Sequence, residues 1–164
     1  APALRDGLAL RPFDPETQAH AVHHAAEESF RDHWGHNEDR PFEEWYQRRI
    51  ERPNFDPNLW FIAWDGDAVA GVSFCWTDDA DESIGWVGTL GVRRPWRKRG
   101  LGMALLQHSF AGFQQRGVDA VRLGVDAASK TNAVALYERA GMHIHLCTIN
   151  FRRVLRGDAG MIVD

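Results

Sequence analysis

The first regular pattern in the chain is the short extended run Leu8-Ala9-Leu10-Arg11. Pro12, Asp14 and Pro15 stop it and open a helix, with Asp14 as N-cap and Pro15 in the first helical position. Apolar residues at Ala19, Val22, Ala25, Ala26 and Phe30 carry that helix. After the polar, irregular stretch Arg31 to Arg40, a second helix is predicted over Pro41 to Arg52, with Phe42, Trp45, Tyr46 and Ile50 on one side. Leu59 to Trp64 and Ala68 to Trp76 are rich in aromatic and β-branched residues and flank Asp65-Gly66-Asp67, which predicts a hairpin. Ile84 to Val92 is a further strand containing Gly85, Gly88 and Gly91, and glycine inside a strand marks a bulge or a close ligand. Gly100 to Arg116 reads as a helix with Leu101, Leu105, Leu106, Phe110 and Phe113 at helical spacing and Gly117 beyond its end. A strand over Val118 to Val125, a short helix over Thr131 to Ala140 ended by Gly141, and a long last strand or hairpin arm over Met142 to Val154 complete the pattern. The order predicts an α/β (α+β) sheet with one crossover unit, folded as a single domain over residues 1–164.

Composition narrows the possibilities. The chain is 44% hydrophobic and 26% charged, close to an average globular protein, and its 164 residues suffice to bury a core without staples. A formal net charge of −4 argues against nucleic acid or a membrane as a general partner. Yet Arg93, Arg94, Arg97, Lys98 and Arg99 crowd into seven positions, which points to a bound anion. Two cysteines, Cys75 and Cys147, form no disulfide framework and fit a reducing cytoplasm. No run reaches the roughly 18 apolar residues of a membrane span, and Ala1 to Arg11 lacks a signal-peptide pattern. The opening alanine implies a removed initiator Met or an excised piece. His20, His23 and His24 have helical spacing, with His33 and His36 nearby. No cysteine or paired carboxylate completes a ligand set, so no metal is expected.

The strongest chemical signal is strand, loop and helix over Leu90 to Phe113. A helix N-terminus leaves N–H groups unpaired and carries partial positive charge. Gly100 and Gly102 let a phosphate approach that backbone, Arg97, Lys98 and Arg99 add full charges, and Pro95 ends the strand. A P-loop needs Gly-Lys-Ser/Thr, and the chain has Gly-Leu-Gly-Met. A dinucleotide fingerprint needs Gly or Ala where Leu105 stands. The remaining match, Arg-x-x-Gly-x-Gly, suits the pyrophosphate of CoA.

Val92-Arg93-Arg94-Pro95-Trp96-Arg97-Lys98-Arg99-Gly100-Leu101-Gly102 resembles the acetyl-CoA signature of the GNAT superfamily of N-acetyltransferases. Downstream, Ala133-Val134-Ala135-Leu136-Tyr137-Glu138-Arg139-Ala140-Gly141-Met142 resembles the second signature of that family. The likeness extends over about Leu8 to Arg153 and is sharp from Leu90 to Met142. Trp34-Gly35-His36 and Glu43-Glu44-Trp45 are similar to the start of domains in tandem-GNAT bacterial proteins. One departure is Lys130, where the family often has Asn; Asn132 is displaced by two positions.

The resemblance implies a GNAT-like central mixed, mostly antiparallel sheet, splayed in a V after the strand Trp86 to Val92 and flanked by about four helices. It implies acetyl-CoA as cosubstrate, its pantetheine arm lying along that strand's edge, which would account for the glycines there. Backbone near Leu90, Gly91 and Val92 would face the thioester and the arm. Arg97, Lys98, Arg99, Gly100, Leu101 and Gly102 would hold the diphosphate, and Lys130, Ala133 and Tyr137 would complete the contacts. The reaction implied is direct attack of a primary amine on the thioester in a ternary complex, with Tyr137 as general acid. The base stays open among Glu82, Asp126, His33 and His36; Asp126 or Ser129 fits a helix cap equally well. The expected acceptor is a small-molecule amine, lined by Phe30, Trp34, Phe42, Trp45 and Tyr46 and drawn by the acidic Asp78, Asp79, Asp81 and Glu82. A peptide or protein N-terminus is a second acceptor class. A non-catalytic CoA-binding module of a tandem protein is the rival reading, with a homodimer or a second GNAT domain as possible partners.

Overall fold

The computed structural model describes residues 4, 7–32, 38–125 and 133–148. Five strands form one sheet in sequence order: β1 (Ala9–Arg11), β2 (Trp60–Asp65), β3 (Ala68–Thr77), β4 (Ile84–Val92) and β5 (Ala120–Arg122). The first four pair antiparallel and β5 joins β4 in parallel. The helices are α1 (Pro15–Phe30), α2 (Phe42–Arg49), α3 (Leu101–Gln114) and α4 (Ala133–Arg139), with a short 3-10 turn, Arg94–Trp96, between β4 and α3. Asp14 caps α1 as its position predicts, accepting from the Glu16 N–H at 3.1 Å. Helix α3 ends in a paired-bond cap. The Val118 N–H donates to the Phe113 carbonyl and the Gly117 N–H to that of Gln114, with Gly117 at φ 73°.

Both faces of the sheet are buried, because alternate residues of β2 and β3 are apolar on each side. On one face α1 and α2 bring Val22, Ala26 and Trp45 onto Trp60, Ile62 and Phe74. The Trp60 and Phe74 rings stack at 4.0 Å. On the other face α3 sets Leu101, Leu105, Leu106 and Phe113 against Ala63, Ala70, Cys75 and Val87. Each fully buried side chain of this size stabilises the fold by about 1.5–3 kcal/mol. The polar pair inside this face is satisfied, since Ser73 and Ser109 share a hydrogen bond of 2.8 Å and Ser109 also donates to the Leu105 carbonyl.

Strand β5 accompanies β4 only from Ile84 to Trp86, opposite Ala120 to Arg122. From Val87 to Val92, β4 has no strand partner on that side among the described residues. The pairing of β3 with β4 also slips here: Cys75 faces Val87 and Phe74 faces Thr89, so Gly88 is an extra residue in a bulge.

Several elements differ from the pattern. The strand expected over Val118 to Val125 is three residues, Ala120–Arg122, because the α3 cap takes the Val118 N–H and β4 then diverges. Leu59 belongs to a 3-10 turn, Pro57–Leu59, capped by Asp56, and α2 stops at Arg49. Residues 142–148 form no strand; Ile144 and Leu146 are 75% and 80% exposed, and 149–154 lie outside the described residues. The glycines of β4 have a packing cause. A Cβ on Gly85 would stand 2.6 Å from the Phe113 ring, one on Gly91 would stand 2.8 Å from Ser29 Cβ, and one on Gly88 would overlap the Trp76 indole.

Gly88→Ala should therefore lower stability by about 1–3 kcal/mol in urea unfolding, the range for overpacking. Gly102→Ala, whose new methyl meets nothing nearer than Leu136 Cδ2 at 3.7 Å, should change it by less than about 0.5 kcal/mol. Equal unfolding midpoints for the two variants would contradict the packing account.

Candidate functional site

The divergence of β4 and β5 leaves a cleft of about 820 Å³, within the usual size range of ligand sites. Val87 to Val92 form one wall, and Lys98, Gly100, Leu101, Gly102 and Met103 form the base. Gly124 and Val125, with Ala133, Leu136, Tyr137 and Arg139 around α4, form the opposite wall. Ser29, Phe30 and Asp32 at the end of α1 close the rim.

The loop from β4 to α3 is held by its own arginines. Arg93 pairs with Glu28 at 2.8 Å and donates to the Val69 carbonyl at 2.9 Å. Arg94 and Arg97 both pair with Asp32. Arg97 also donates to the Val92 carbonyl at 2.9 Å and the Ser29 carbonyl at 3.0 Å. Trp96 Nε1 donates to Asp65 at 2.9 Å. Arg97 lines the cleft while its guanidinium is also engaged by Asp32 and by the Val92 and Ser29 carbonyls, which clamps the loop. Lys98 and Arg99 make no ion pair among the described residues, and both are exposed. Lys98 lines the cleft and Arg99 does not.

The backbone supplies the rest. Lys98 sits at φ 62° and Gly100 at φ 82°, both left-handed, which is uncommon for a lysine and easy for glycine. Gly100 is the N-cap of α3 and brings no side chain to its first turn, so the amides there lack a capping partner. An uncapped helix start carries partial positive charge, and here a lysine stands beside it in the cleft.

Tyr137 packs against Leu59, Val87, Leu106 and Phe113 while lining the cleft opposite β4. Burial raises its phenol above the ordinary value of 10.0, so it stays protonated through neutral pH. Leu90, Gly91, Val92, Leu101, Gly102 and Ala133 all line the cleft. Glu82 does not: it is exposed in the turn before β4, at the end of the strand remote from Val92. Asp126, Lys130, His33, His36, Ser129, Asn132 and Trp34 lie outside the described residues. The sequence reading missed Asp32; a carboxylate two positions past a helix end carries no local sign of two arginines more than sixty residues away.

Other candidate chemistry is taken up structurally. His20 stacks on Phe42 at 3.6 Å, and His23 Nε2 donates to the Arg40 carbonyl at 2.8 Å. Among the described residues no group of three or more His, Cys, Asp or Glu could hold a metal ion. Burial pushes the Cys75 thiol up to about 11, which makes it a poor nucleophile. No helix among the described residues is long and apolar enough to cross a membrane.

A parallel-edged sheet opened beside β4, with a glycine-started helix at the opening, is the architecture of an acyl-CoA-dependent transferase class, and the chain belongs to the acetyltransferase (GNAT) family, whose model matches residues 19–142. It is 35% identical to a mycothiol acetyltransferase of Thermobispora bispora, in an alignment covering 93% of this chain and 52% of that protein. The chain thus spans about half the length of such relatives. A GCN5-related N-acetyltransferase from Sphaerobacter thermophilus superposes with a TM-score of 0.71 at 38% identity, over 87% of this chain and 43% of that one. An aminoglycoside acetyltransferase from an uncultured soil metagenomic sample, solved with sisomicin, superposes with a TM-score of 0.68 at 15% identity, over 92% and 97% of the two chains. That last likeness is one of fold.

The arginine clamp makes a pH prediction. Hydrogen bonds from Arg94 and Arg97 hold Asp32 below its ordinary 3.8, and a bond from Arg93 holds Glu28 below 4.5. A lowered carboxyl contributes stability that is complete above its unfolded value and is lost as pH falls towards its folded one. In thermal melts Asp32→Asn should therefore be less stable than the parent at neutral pH, with the gap closing as pH falls below 3.8. A gap of constant size down to about pH 2 would show that the Asp32 charge is irrelevant.

Proposed function

We propose that this domain transfers the acetyl group of acetyl-CoA to the amine of a small molecule, by direct attack in a ternary complex. The observation that carries the reading is one continuous cleft bounded by the unpaired edge of β4 and by the uncapped start of α3. Amides of Gly100, Leu101 and Gly102 receive the diphosphate, and Lys98 and Arg99 add charge to it. Arg97 keeps the loop in place through Asp32 and the Ser29 carbonyl. The edge at Leu90, Gly91 and Val92 offers backbone groups to the pantetheine arm in the manner of an added strand. The bulge at Gly88 takes backbone out of the ladder beside the cleft, where an N–H can meet the oxyanion of the tetrahedral intermediate.

Tyr137 lies across the cleft from β4 with its proton retained by burial, which suits a general acid for the departing thiolate. Ala133 lines the same wall one turn ahead of it, and Lys130 is assigned to the arm by its place in the signature. Asp126 directly follows Val125, which lines the cleft, so it is the base we retain; Glu82 reaches no lining position. The half-length span relative to its relatives favours one second reading, a CoA-binding module within a longer protein.

Release of free thiol from acetyl-CoA across an amine panel tests the proposal. Steady turnover of at least one small amine is expected, and Tyr137→Phe should lower kcat by about 10²-fold or more with little change in acetyl-CoA affinity. The parent's kcat should fall on the alkaline side above the ordinary phenol value of 10.0, a limb that Tyr137→Phe should lack. Acetyl-CoA that binds yet is consumed with no amine would overturn the catalytic reading in favour of the module.

A further inference from the structure

Helix α2 ends in Arg48 and Arg49, with Arg52 just beyond. Two neighbouring arginines have ordinary partners: Arg48 and Arg40 both pair with Glu44, at 3.2 and 3.5 Å. Arg49 and Arg52 have none among the described residues. Both instead stand over the Trp76 indole, their guanidinium carbons 6.0 and 4.8 Å from its ring centre. Arg49 is the more confined of the two. Burial, then the nearby charges of Arg40, Arg52 and Arg48, press its pKa down, while Glu27 acts the other way. A half-buried guanidinium in a positive neighbourhood, without a carboxylate, is an arrangement that a ligand anion relieves.

Asn54 belongs to the same recess, which Arg49, Arg52 and Trp76 line. Its Nδ2 donates to the Thr77 carbonyl and to Asp79, while its Oδ1 is buried with no partner. An orphaned acceptor of this kind is met by a ligand O–H or N–H or by water. The recess holds about 10 Å³, room for one oxygen-sized group and not for a ligand's body. Asp78 accepts from Trp86 Nε1 at 2.8 Å and Asp79 accepts from Asn54, and neither makes an ion pair with Arg49 or Arg52 among the described residues.

The Trp76 indole stands between this recess and the cleft. Trp76 fills the space that a Cβ on Gly88 would occupy, and Gly88 is the bulged residue of the cleft wall. We infer that the amine acceptor carries an oxyanion, a carboxylate or a phosphate, which Arg49 and Arg52 bind beside Trp76 while its amine reaches the Gly88 bulge. This inference rests on the acetyl-transfer reading of the cleft and reverses the expectation that the acidic loop draws a cation. The planar fork of arginine matches the oxygens of either anion, and acceptors lacking the anion leave the pair uncompensated.

The test uses the whole chain and matched amines that differ in one charge: amino acids against their amides, and amino-sugar phosphates against the parent amino sugars. Thiol release from acetyl-CoA should show kcat/KM about tenfold or more higher for the anionic twin in at least one series, and the responding series separates carboxylate from phosphate. Arg49→Gln and Arg52→Gln should bring that ratio towards one, chiefly through KM for the acceptor, with acetyl-CoA affinity by calorimetry unchanged. Preference for the neutral twins, or an anion preference that survives both substitutions, would overturn the inference and leave acetyl transfer standing. Absence of calorimetric heat with acetyl-CoA would overturn the underlying reading itself. Should Arg49→Gln fail to fold, Arg52→Gln and the parent's own charge preference decide the matter.

Discussion

Strand β4 keeps its ladder with β3 along its length but shares only Ile84 to Trp86 with β5. A strand whose polar groups are satisfied on one side and open on the other is ordinarily a liability within a fold. Here the open edge is confined to a cleft rather than left on the outer margin of the sheet. Helix α3 holds the arrangement apart. Phe113 packs into the space left by Gly85, and Leu101 and Leu105 lie against the backbone of Gly71 in β3. These contacts fix α3 against β3 and β4 beside the cleft.

The basic segment after β4 divides its work. Arg93, Arg94 and Arg97 face inward to the end of α1, where Glu28, Asp32 and the Ser29 carbonyl receive them. Lys98 and Arg99 face outward, next to amides that no side chain caps. Five like charges in seven positions repel one another; Glu28 in α1 and Asp32 just past its end match three of them and leave Lys98 and Arg99 without an ion pair among the described residues. A second unmatched basic pair, Arg49 with Arg52, lies on the other side of the Trp76 indole. Unmatched positive charge thus stands at two places, at the start of α3 and beside Trp76.

Features set by local chemistry were legible in the sequence. The Asp14 cap, the limits of β4 and the course of α3 follow from side-chain periodicity and short-range breakers, and all three are found. So does the glycine-opened start of α3, since Gly100 needs only its own backbone to adopt φ 82°. Features set by distant partners were not legible. Arg97 is indistinguishable in sequence from Lys98, yet Asp32, 65 residues away, decides that it is a clamp. The β4 glycines suggested a bulge or a close ligand; the bulge is found at Gly88, and the close neighbours that exclude a side chain, Trp76, Phe113 and Ser29, come from three other elements. A last strand or hairpin arm was expected over Met142 to Val154, but a strand needs a neighbour to supply the ladder, and residues 142–148 have none among the described residues.

Amide hydrogen exchange with and without acetyl-CoA addresses the open edge most directly. The account predicts slowed exchange at alternate amides of Val87 to Val92 and at the first-turn amides of Leu101 to Met103, with little change in β1 and β2. Unaltered exchange in both segments under saturating acetyl-CoA, or protection confined to another part of the sheet, would contradict it.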